Sequence, residues 1–268
     1  MKVGIVQNKI GDNLLKNIQR AKELGKILID QGAEYIVFPE LFQCPYEDSY
    51  IKDFANKDEG RTFDMLRELA RSGVYVIGGT FPELRGKDIY NTSYVFNPKG
   101  EVIGHHDKNY LYTFKIPGKI DYDEGNIFTP GHGFSTFETE DGIFGLGICF
   151  DIRFPFPFEK MAMEGAKVIF LPGAFHHKVA KAHWELVLRA RAVDNQVFMV
   201  GVSPAKGEGP SKNYYGHSLV VDPWANVISA FGFFEEIGIV NIDVNEVDQG
   251  RKELHIFKRK QADYKARS

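Results

Sequence analysis

Several features that mark other classes of protein are scarce or absent in this sequence. It contains only two cysteines, Cys44 and Cys149, so it has no disulfide framework, and this pattern predicts a protein of the reducing cytoplasm. No run of apolar residues reaches the roughly 18 that a transmembrane helix needs, and the N-terminus lacks the apolar segment of a signal peptide. We therefore expect no membrane partner.

Charge and metal-binding patterns are equally sparse. The formal net charge is only -3, which gives no electrostatic basis for binding nucleic acid. Two pairs of histidines are adjacent, at 105–106 and 176–177, and adjacent residues cannot share one face. No His-x-x-x-His or Cys-x-x-Cys spacing occurs. The sequence therefore predicts no metal, no cofactor and no nucleic-acid partner.

The chain does contain an internal repeat. Segment 32–42 aligns without gaps on 165–175, and segment 90–98 aligns on 215–223 in the same order. Both halves read as helix, strand ending in proline, helix, strand and hairpin. Two such units can bury the apolar faces of their sheets on each other, with helices outside. The repeat therefore predicts a four-layer α-β-β-α sandwich, built from a duplicated α/β unit in a single domain over 1–268.

Local patterns predict the individual elements of the first half. Lys2–Gln7 reads as a buried strand, and Asp12 is expected to cap a helix over 13–31. A short apolar run at 35–38 suits a strand of a parallel sheet. The other predicted elements are a helix over 62–71 and strands over 74–81, 90–97 and 102–107. The end of the chain, at about 250–268, carries seven Lys and Arg against two acids, which predicts a solvated basic tail.

One stretch places a thiol where nucleophiles are often held. An apolar strand ending in Ile148 delivers Cys149 to a turn, and a helix is predicted from Phe158 onward. A thiol at such a turn resembles a nucleophile elbow, and the N–H groups just after it can stabilise a developing oxyanion. The alternative is a buried core cysteine, because free cysteine is among the most buried residue types.

Two further polar residues follow predicted strands, at the edge where open α/β sheets bind ligands. Glu40 comes after the strand at 35–38, and its counterpart in the repeat is Gly173, so only one copy of the unit has an acid. This carboxylate stands between apolar residues and is poorly solvated, which suits a general base. Lys108 ends another strand, although an exposed lysine is the usual case. Spacing alone leaves open whether Glu40, Lys108 and Cys149 meet.

Motifs around these residues resemble the nitrilase superfamily of carbon–nitrogen hydrolases, and the resemblance covers nearly the whole chain. The motifs are Phe38-Pro-Glu-Leu, Lys108-Asn-Tyr-Leu-Tyr and Gly147-Ile-Cys-Phe-Asp-Ile-Arg-Phe-Pro. The resemblance implies a triad of Glu40, Lys108 and Cys149, with Glu124 as a second glutamate near the lysine. It also implies the α-β-β-α sandwich, and a homodimer or higher homo-oligomer formed across the helices after the cysteine and around Ala190.

The resemblance further implies amide hydrolysis through a thioester. Glu40 is expected to take the thiol proton as Cys149 attacks the carboxamide carbon, and then to protonate the departing ammonia. Lys108 and the backbone N–H of Phe150 are expected to stabilise the oxyanion. Glu124 is expected to hold Lys108 and the substrate amide in place.

Within the superfamily the chain resembles the omega-amidases, which act on the terminal amide of small dicarboxylic acid monoamides. The resemblance predicts an amidohydrolase for a small, carboxylate-bearing primary amide. The residues assigned to substrate binding are Arg153, Tyr46, Phe175 and His176. The chain departs from the omega-amidase pattern at 176–181, and also at Tyr110, Phe156 and Ala225. For Arg153 the alternative is a structural pairing with Asp151, and for the basic loop at 176–181 it is plain solvation.

Several other interpretations stay open. An N-carbamoyl amino acid hydrolase or an aliphatic amidase of the same superfamily would use the same triad. A catalytically silent homologue would have the same fold and bind a small molecule without converting it. A redox-responsive thiol protein would need Cys44 within disulfide reach of Cys149. The segment 112–123 has the length and position of a loop that closes over the site.

Overall fold

The structure, a computed structural model, describes residues 1–118 and 120–267. The strands are β1 (Lys2–Gln7), β2 (Tyr35–Val37), β3 (Tyr75–Ile77), β4 (Phe81–Arg85), β5 (Asp88–Phe96), β6 (Val102–Asp107), β7 (Thr113–Ile116), β8 (Ile120–Asp123), β9 (Ser135–Thr139), β10 (Gly142–Leu146), β11 (Val168–Pro172), β12 (Phe198–Val202), β13 (Leu219–Val221), β14 (Val227–Ala230) and β15 (Glu236–Asn241). The helices are α1 (Leu14–Asp30), α2 (Asp48–Lys57), α3 (Arg61–Ala70), α4 (Pro155–Met163), α5 (His177–Asn195), α6 (Asn245–Glu253) and α7 (Ile256–Arg267). Within these ranges, no helix has the length and apolar character needed to cross a bilayer.

Two mixed sheets follow the internal repeat. The first has the order β15-β1-β2-β3-β5-β4, with β6 paired to β5, and its strands β1, β2 and β3 are parallel. The second has the order β14-β13-β12-β11-β10-β9, with β10, β11 and β12 parallel. Each half therefore contributes one parallel triplet extended by an antiparallel hairpin, as the duplicated sequence segments predict.

The two sheets pack face to face and carry helices on their outer sides. Val37 of the first sheet and Phe170 of the second belong to one buried cluster between the sheets. Leu24 of α1 and Leu66 of α3 cover the outer face of the first sheet. Trp184 of α5, together with α4, covers the outer face of the second. Both faces of each sheet are thus buried, and the predicted four-layer α-β-β-α sandwich is confirmed.

Several local predictions need correction. The N-cap of α1 is Asn13, whose side chain accepts the N–H of Lys16 at 3.0 Å, so the cap predicted at Asp12 is wrong. The predicted strand over 74–81 is broken into β3 and β4. Gly79 lies between them with a φ of 55°, a left-handed conformation that glycine adopts readily. The helix α2 was not predicted.

The basic C-terminal segment is helical and contacts the rest of the fold. The backbone N–H of Phe257 donates to Oε1 of Gln196, just after α5, at 2.9 Å. The guanidinium of Arg251 lies 3.8 Å from the centroid of the Phe257 ring. Helices α6 and α7 therefore pack beside the second sheet over most of the segment predicted as a tail, of which Ser268 lies outside the described residues.

Candidate active site

Cys149 lies at the turn that follows β10. Its φ is 45°, a left-handed conformation that is strained for a residue with a side chain. The 3₁₀ helix Cys149–Arg153 follows the turn and leads into α4, which begins at Pro155 and not at the predicted Phe158. This strand–turn–helix arrangement is that of a nucleophile elbow, in which backbone strain holds the side chain out beyond the sheet.

Glu40 reaches the same place from the end of β2 and is fully buried. Its Oε1 accepts hydrogen bonds from Nζ of Lys108 and Nδ2 of Asn91, both at 2.9 Å. Its Oε2 accepts the backbone N–H of Ala174 at 2.7 Å. Asn91 comes from β5 and Ala174 follows β11, so donors from both halves of the chain hold this carboxylate. Such donors stabilise its charge and fix its orientation.

Lys108 has all three protons of its ammonium group engaged. Its Nζ lies 2.9 Å from Oε1 of Glu40, 2.9 Å from the hydroxyl of Tyr46 and 3.0 Å from Oε1 of Glu124. An ammonium has three donors, so a substrate oxygen would have to displace one of these partners. Burial by itself lowers the pKa of Lys108, but the negative charge of Glu40 and of other acidic groups nearby outweighs it and raises that pKa above the ordinary value.

Glu124 accepts hydrogen bonds both from Lys108 and from the backbone a few residues after it. Its Oε2 accepts the backbone N–H of Tyr112 at 2.7 Å, while its Oε1 accepts from Lys108. Burial raises the pKa of Glu124 well above its ordinary value, and the charge of Glu40 raises it further. A carboxyl group in this position can orient Lys108.

The Cys149 thiol interacts electrostatically with the carboxylate of Glu40 and keeps its proton. Burial raises the pKa of Cys149 well above its ordinary value, the charge of Glu40 adds to that effect, and Lys108 opposes it. The thiol is therefore protonated at neutral pH, with a carboxylate beside it that can accept the proton. This arrangement suits a nucleophile that loses its proton as it attacks.

A cavity of about 480 Å³ opens above Cys149. Its size suits a small-molecule site. Phe150, whose N–H was assigned to the oxyanion, lies on its wall next to the thiol. The residues that were assigned to substrate binding all line it: Arg153, Tyr46, Phe175 and His176.

The basic residues of the cavity differ in their surroundings. Arg153 donates from Nη2 to Nδ1 of His183 at 2.9 Å, and its guanidinium lies 5.4 Å from the centroid of the Phe175 ring. Asp151, the alternative partner of Arg153, is paired with another side chain and two backbone N–H groups. Desolvation lowers the pKa of His176, as do its cationic neighbours, so this ring is uncharged at neutral pH. Of these two side chains, the guanidinium of Arg153 is the one with a permanent positive charge.

Three contacts of the site were not foreseen from the sequence. Asn91 and the N–H of Ala174 both donate to Glu40, and the hydroxyl of Tyr46 accepts from Lys108 in addition to lining the cavity. They lie in Tyr90-Asn-Thr, Pro172-Gly-Ala-Phe and Phe42-Gln-Cys-Pro-Tyr, whose resemblance to the family was the only available signal. Across residues 1–118 and 120–267, no three His, Cys, Asp or Glu side chains are grouped so that they could hold a metal ion.

The two cysteines do not support a disulfide. Both Cys44 and Cys149 are free and buried. Cys44 packs among the helices that cover the first sheet, whereas Cys149 packs in the cluster beneath the second. A redox pair between them, considered from the sequence, has no counterpart in the fold.

Comparison with known proteins agrees with this arrangement. The model of the carbon-nitrogen hydrolase family matches residues 2–252. The chain therefore belongs to that family, within the nitrilase superfamily, and is a hydrolase of carbon–nitrogen bonds of the amidase class.

Particular relatives cover almost all of the chain. It is 39% identical to omega-amidase NIT2 of Mus musculus over 98% of this chain and 95% of that protein. It resembles the crystal structure of Saccharomyces cerevisiae Nit3, a member of branch 10 of the nitrilase superfamily, with a TM-score of 0.87 and 33% identity over 95% and 94% of the two chains. The Caenorhabditis elegans NitFhit protein gives a TM-score of 0.91 and 28% identity over 98% of this chain and 65% of its own.

Proposed function

We propose that the protein is an omega-amidase-like enzyme that hydrolyses a small, carboxylate-bearing primary amide to the acid and ammonia. The observation that carries the proposal is the Cys149 thiol, which interacts with the carboxylate of Glu40 and lines a cavity whose wall also contains Arg153. The similarity to proteins named omega-amidase supports the same class of substrate.

The proposed reaction passes through a thioester. Sγ of Cys149 attacks the carboxamide carbon while its proton moves to Glu40. The N–H of Phe150 and the ammonium of Lys108 stabilise the oxyanion, each donor contributing roughly 3–4 kcal/mol. As the tetrahedral species collapses, the C–N bond breaks and Glu40 returns the proton to the leaving ammonia. Water then attacks the thioester and gives a proton to Glu40, which passes it to the thiolate as the C–S bond breaks.

Arg153 supplies the proposed specificity for an anionic substrate. It lies four residues beyond the nucleophile on the same 3₁₀ helix and lines the cavity. A guanidinium is planar and binds a carboxylate through two parallel hydrogen bonds, which fixes orientation as well as charge. A substrate whose carboxylate is held there presents its distal amide to Cys149.

We also propose that the protein forms a homodimer in the cytoplasm. Phe156 of α4 and Leu186 of α5 are each 64% exposed on the outer helical layer, and large exposed apolar side chains are typical of interfaces. The free thiols suit a reducing compartment. Sedimentation velocity tests the assembly: a single monomeric species at micromolar concentration would contradict the dimer, and Leu186→Glu should weaken it.

Ammonia release from a panel of amides tests the proposed activity. The panel contains succinamate, alpha-ketoglutaramate, an N-carbamoyl amino acid and propionamide, each measured with a Cys149→Ala control. Preference for the two dicarboxylic monoamides, lost in the control, is the expected result. Preference for the carbamoyl compound or for propionamide would assign another branch with the same chemistry. No turnover, together with no labelling of Cys149 by iodoacetamide, would favour a silent binding protein.

A further inference from the structure

A buried pair outside the catalytic network joins the segments that carry Lys108 and Cys149. Nε2 of His106 lies 3.0 Å from Oδ2 of Asp151, and the two side chains are only 4% and 3% exposed. His106 lies on β6, two residues before Lys108, which directly follows the end of that strand. Asp151 follows Cys149 by two residues in the 3₁₀ helix. The pair therefore connects the segment that carries Lys108 to the segment that carries Cys149.

Asp151 also fixes the backbone on either side of this connection. Its Oδ2 accepts the N–H of Ile148, immediately before the nucleophile, at 3.0 Å. Its Oδ1 accepts the N–H of Tyr110, just after the lysine, at 2.9 Å. Two backbone donors favour the ionised form of a carboxyl group. A buried carboxylate in this position needs a cation nearby.

The hydrogen bonds around His106 identify that cation. Oγ of Ser135 lies 2.8 Å from the carbonyl oxygen of His105 and 3.1 Å from Nδ1 of His106. A carbonyl oxygen only accepts, so the hydroxyl proton of Ser135 points to it, and Nδ1 must donate to Ser135. Nε2 lies 3.0 Å from Oδ2 of Asp151 and is likewise placed to donate. Both ring nitrogens of His106 are therefore positioned as hydrogen-bond donors, an arrangement that an imidazolium satisfies.

We propose that His106 is a positioning residue of the active site, and that its positive charge offsets Asp151 beneath the nucleophile. The charged groups that face the pair are those of the catalytic network, and the charge of Asp151 raises the pKa of both Lys108 and Glu124. The other side chains of this strand end, His105 and Asp107, contact Arg85 away from the pair. Without His106, an uncompensated carboxylate would oppose formation of the Cys149 thiolate.

The inference rests on the proposed function only for its kinetic readout, so the first test needs no substrate. In the wild-type protein labelled with ¹⁵N-histidine, both ring nitrogens of His106 should show the chemical shifts of protonated nitrogens. The resonances are assigned by their loss in His106→Gln or, if that variant does not fold, by elimination with single substitutions of the other seven histidines. A ring with one unprotonated nitrogen would overturn the proposal, and this measurement is made on the wild-type protein whatever the stability of the variants.

The second test compares His106→Gln with His105→Gln, the same substitution at the next residue. Glutamine can donate to Asp151 but carries no charge. In a Cys44→Ala background, the midpoint of the pH profile of Cys149 alkylation should move upward by about one pH unit in His106→Gln. It should stay in place in His105→Gln. Profiles that coincide with the parent in both variants would overturn the proposal.

Kinetics on the best amide of the panel complete the test. His106→Gln should lower kcat about tenfold and leave KM unchanged, because the substrate does not touch this residue. An unchanged kcat, whether or not KM rises, would contradict a positioning role. If the wild-type protein hydrolyses no amide, the proposed function fails. The NMR and alkylation results still decide whether both ring nitrogens of His106 are protonated and whether His106 affects the pKa of Cys149.

Discussion

Nζ of Lys108 lies 2.9 Å from Oε1 of Glu40, and both side chains are completely enclosed. Lys108 makes a second ion pair with Glu124 at 3.0 Å. Removing one partner of a buried ion pair leaves the other charge without compensation, which is strongly destabilising. The residue assigned as the base and the residue assigned to the oxyanion therefore depend on each other. A substitution at either position must preserve shape if it is to report on chemistry.

Glu40→Gln meets this requirement and should abolish most activity. Glutamine keeps the size of the side chain and can still accept from Lys108, but it cannot take the thiol proton. We expect kcat for the preferred amide to fall about 10³-fold, within the usual range for loss of general acid–base catalysis. Ammonia release measures the change, and a thermal unfolding scan confirms that the variant is folded.

Glu47→Gln is the matched control, since Glu47 lines the mouth of the same cavity but is outside the Glu40 network. Its kcat should stay within about twofold of the wild-type value, as expected for a residue with no part in the proton transfers. Comparable losses in the two variants would mean that acidic charge in the cavity, rather than a base at Glu40, supports the reaction.

The sequence predicts the framework of this site better than its details. The bounds of β1 agree with the pattern of apolar residues, because a strand buried in a sheet has few alternatives. The cap of α1 was placed one residue too early, at Asp12 instead of Asn13, because both side chains are good N-caps. The position of Cys149 at a strained turn was predictable, since a strand and a helix flank it in the sequence.

The connections within the site were less predictable, because they join residues far apart in the chain. The Oε2 of Glu40 accepts from Ala174, which lies 134 positions later. No periodicity identifies a backbone N–H as a ligand of a distant carboxylate. Likewise, the hydroxyl of Tyr46 could be assigned to the cavity by resemblance, but its bond to Lys108 depends on the turn that follows β2. Such contacts need the packed sheets before they can be seen.

Tyr46→Phe tests whether the contact between Lys108 and the Tyr46 hydroxyl is needed only in the resting enzyme or also in the transition state. The hydroxyl of Tyr46 is the uncharged partner among the three that Lys108 holds, and hence the one that an oxyanion can displace at least cost. Its removal leaves a buried N–H of Lys108 unpaired in the resting enzyme, and also removes the longer hydrogen bond, 3.3 Å, that the hydroxyl donates to Oε1 of Glu40. We expect the free energy of unfolding to fall by about 1–3 kcal/mol. Urea denaturation measures that loss.

The same variant should retain its kcat to within about threefold, because an oxyanion restores the missing partner of Lys108. Tyr122→Phe, in the wall of the same cavity, provides the comparison and should change neither stability nor kcat. A fall in kcat of about 100-fold in Tyr46→Phe would show that the hydroxyl is required in the transition state, and that Lys108 does not exchange it.

Arg153→Met tests the proposed carboxylate anchor. Methionine keeps much of the apolar contact with Phe175 but has no charge. We expect kcat/KM for succinamate to fall about 10- to 100-fold, the range for loss of a hydrogen bond to a charged group. Propionamide has no carboxylate, so its kcat/KM should not change. Arg189→Met, at an exposed site on α5, should affect neither substrate, and equal losses on both amides would contradict the anchor.

The protonated thiol of Cys149 predicts a specific pH dependence. Burial and the charge of Glu40 raise the pKa of Cys149, so the folded protein retains the thiol proton at pH values where an unfolded cysteine has lost it. The stability that this proton contributes is present below about pH 8.5, the pKa of a free cysteine, and is lost as the pH rises toward the folded value. Unfolding by urea between pH 7 and 10 should therefore show decreasing stability.

The pH dependence of alkylation reports the pKa of the Cys149 thiol directly. In a Cys44→Ala background, the rate of reaction of Cys149 with iodoacetamide should still be rising at pH values above about 8.5, where a free thiol levels off. Amide hydrolysis should be active at neutral pH, because Glu40 removes the proton during attack and no preformed thiolate is needed. An alkylation midpoint below that of a free thiol would instead indicate a resting thiolate paired with Lys108, and the concerted proton transfer to Glu40 would have to be abandoned.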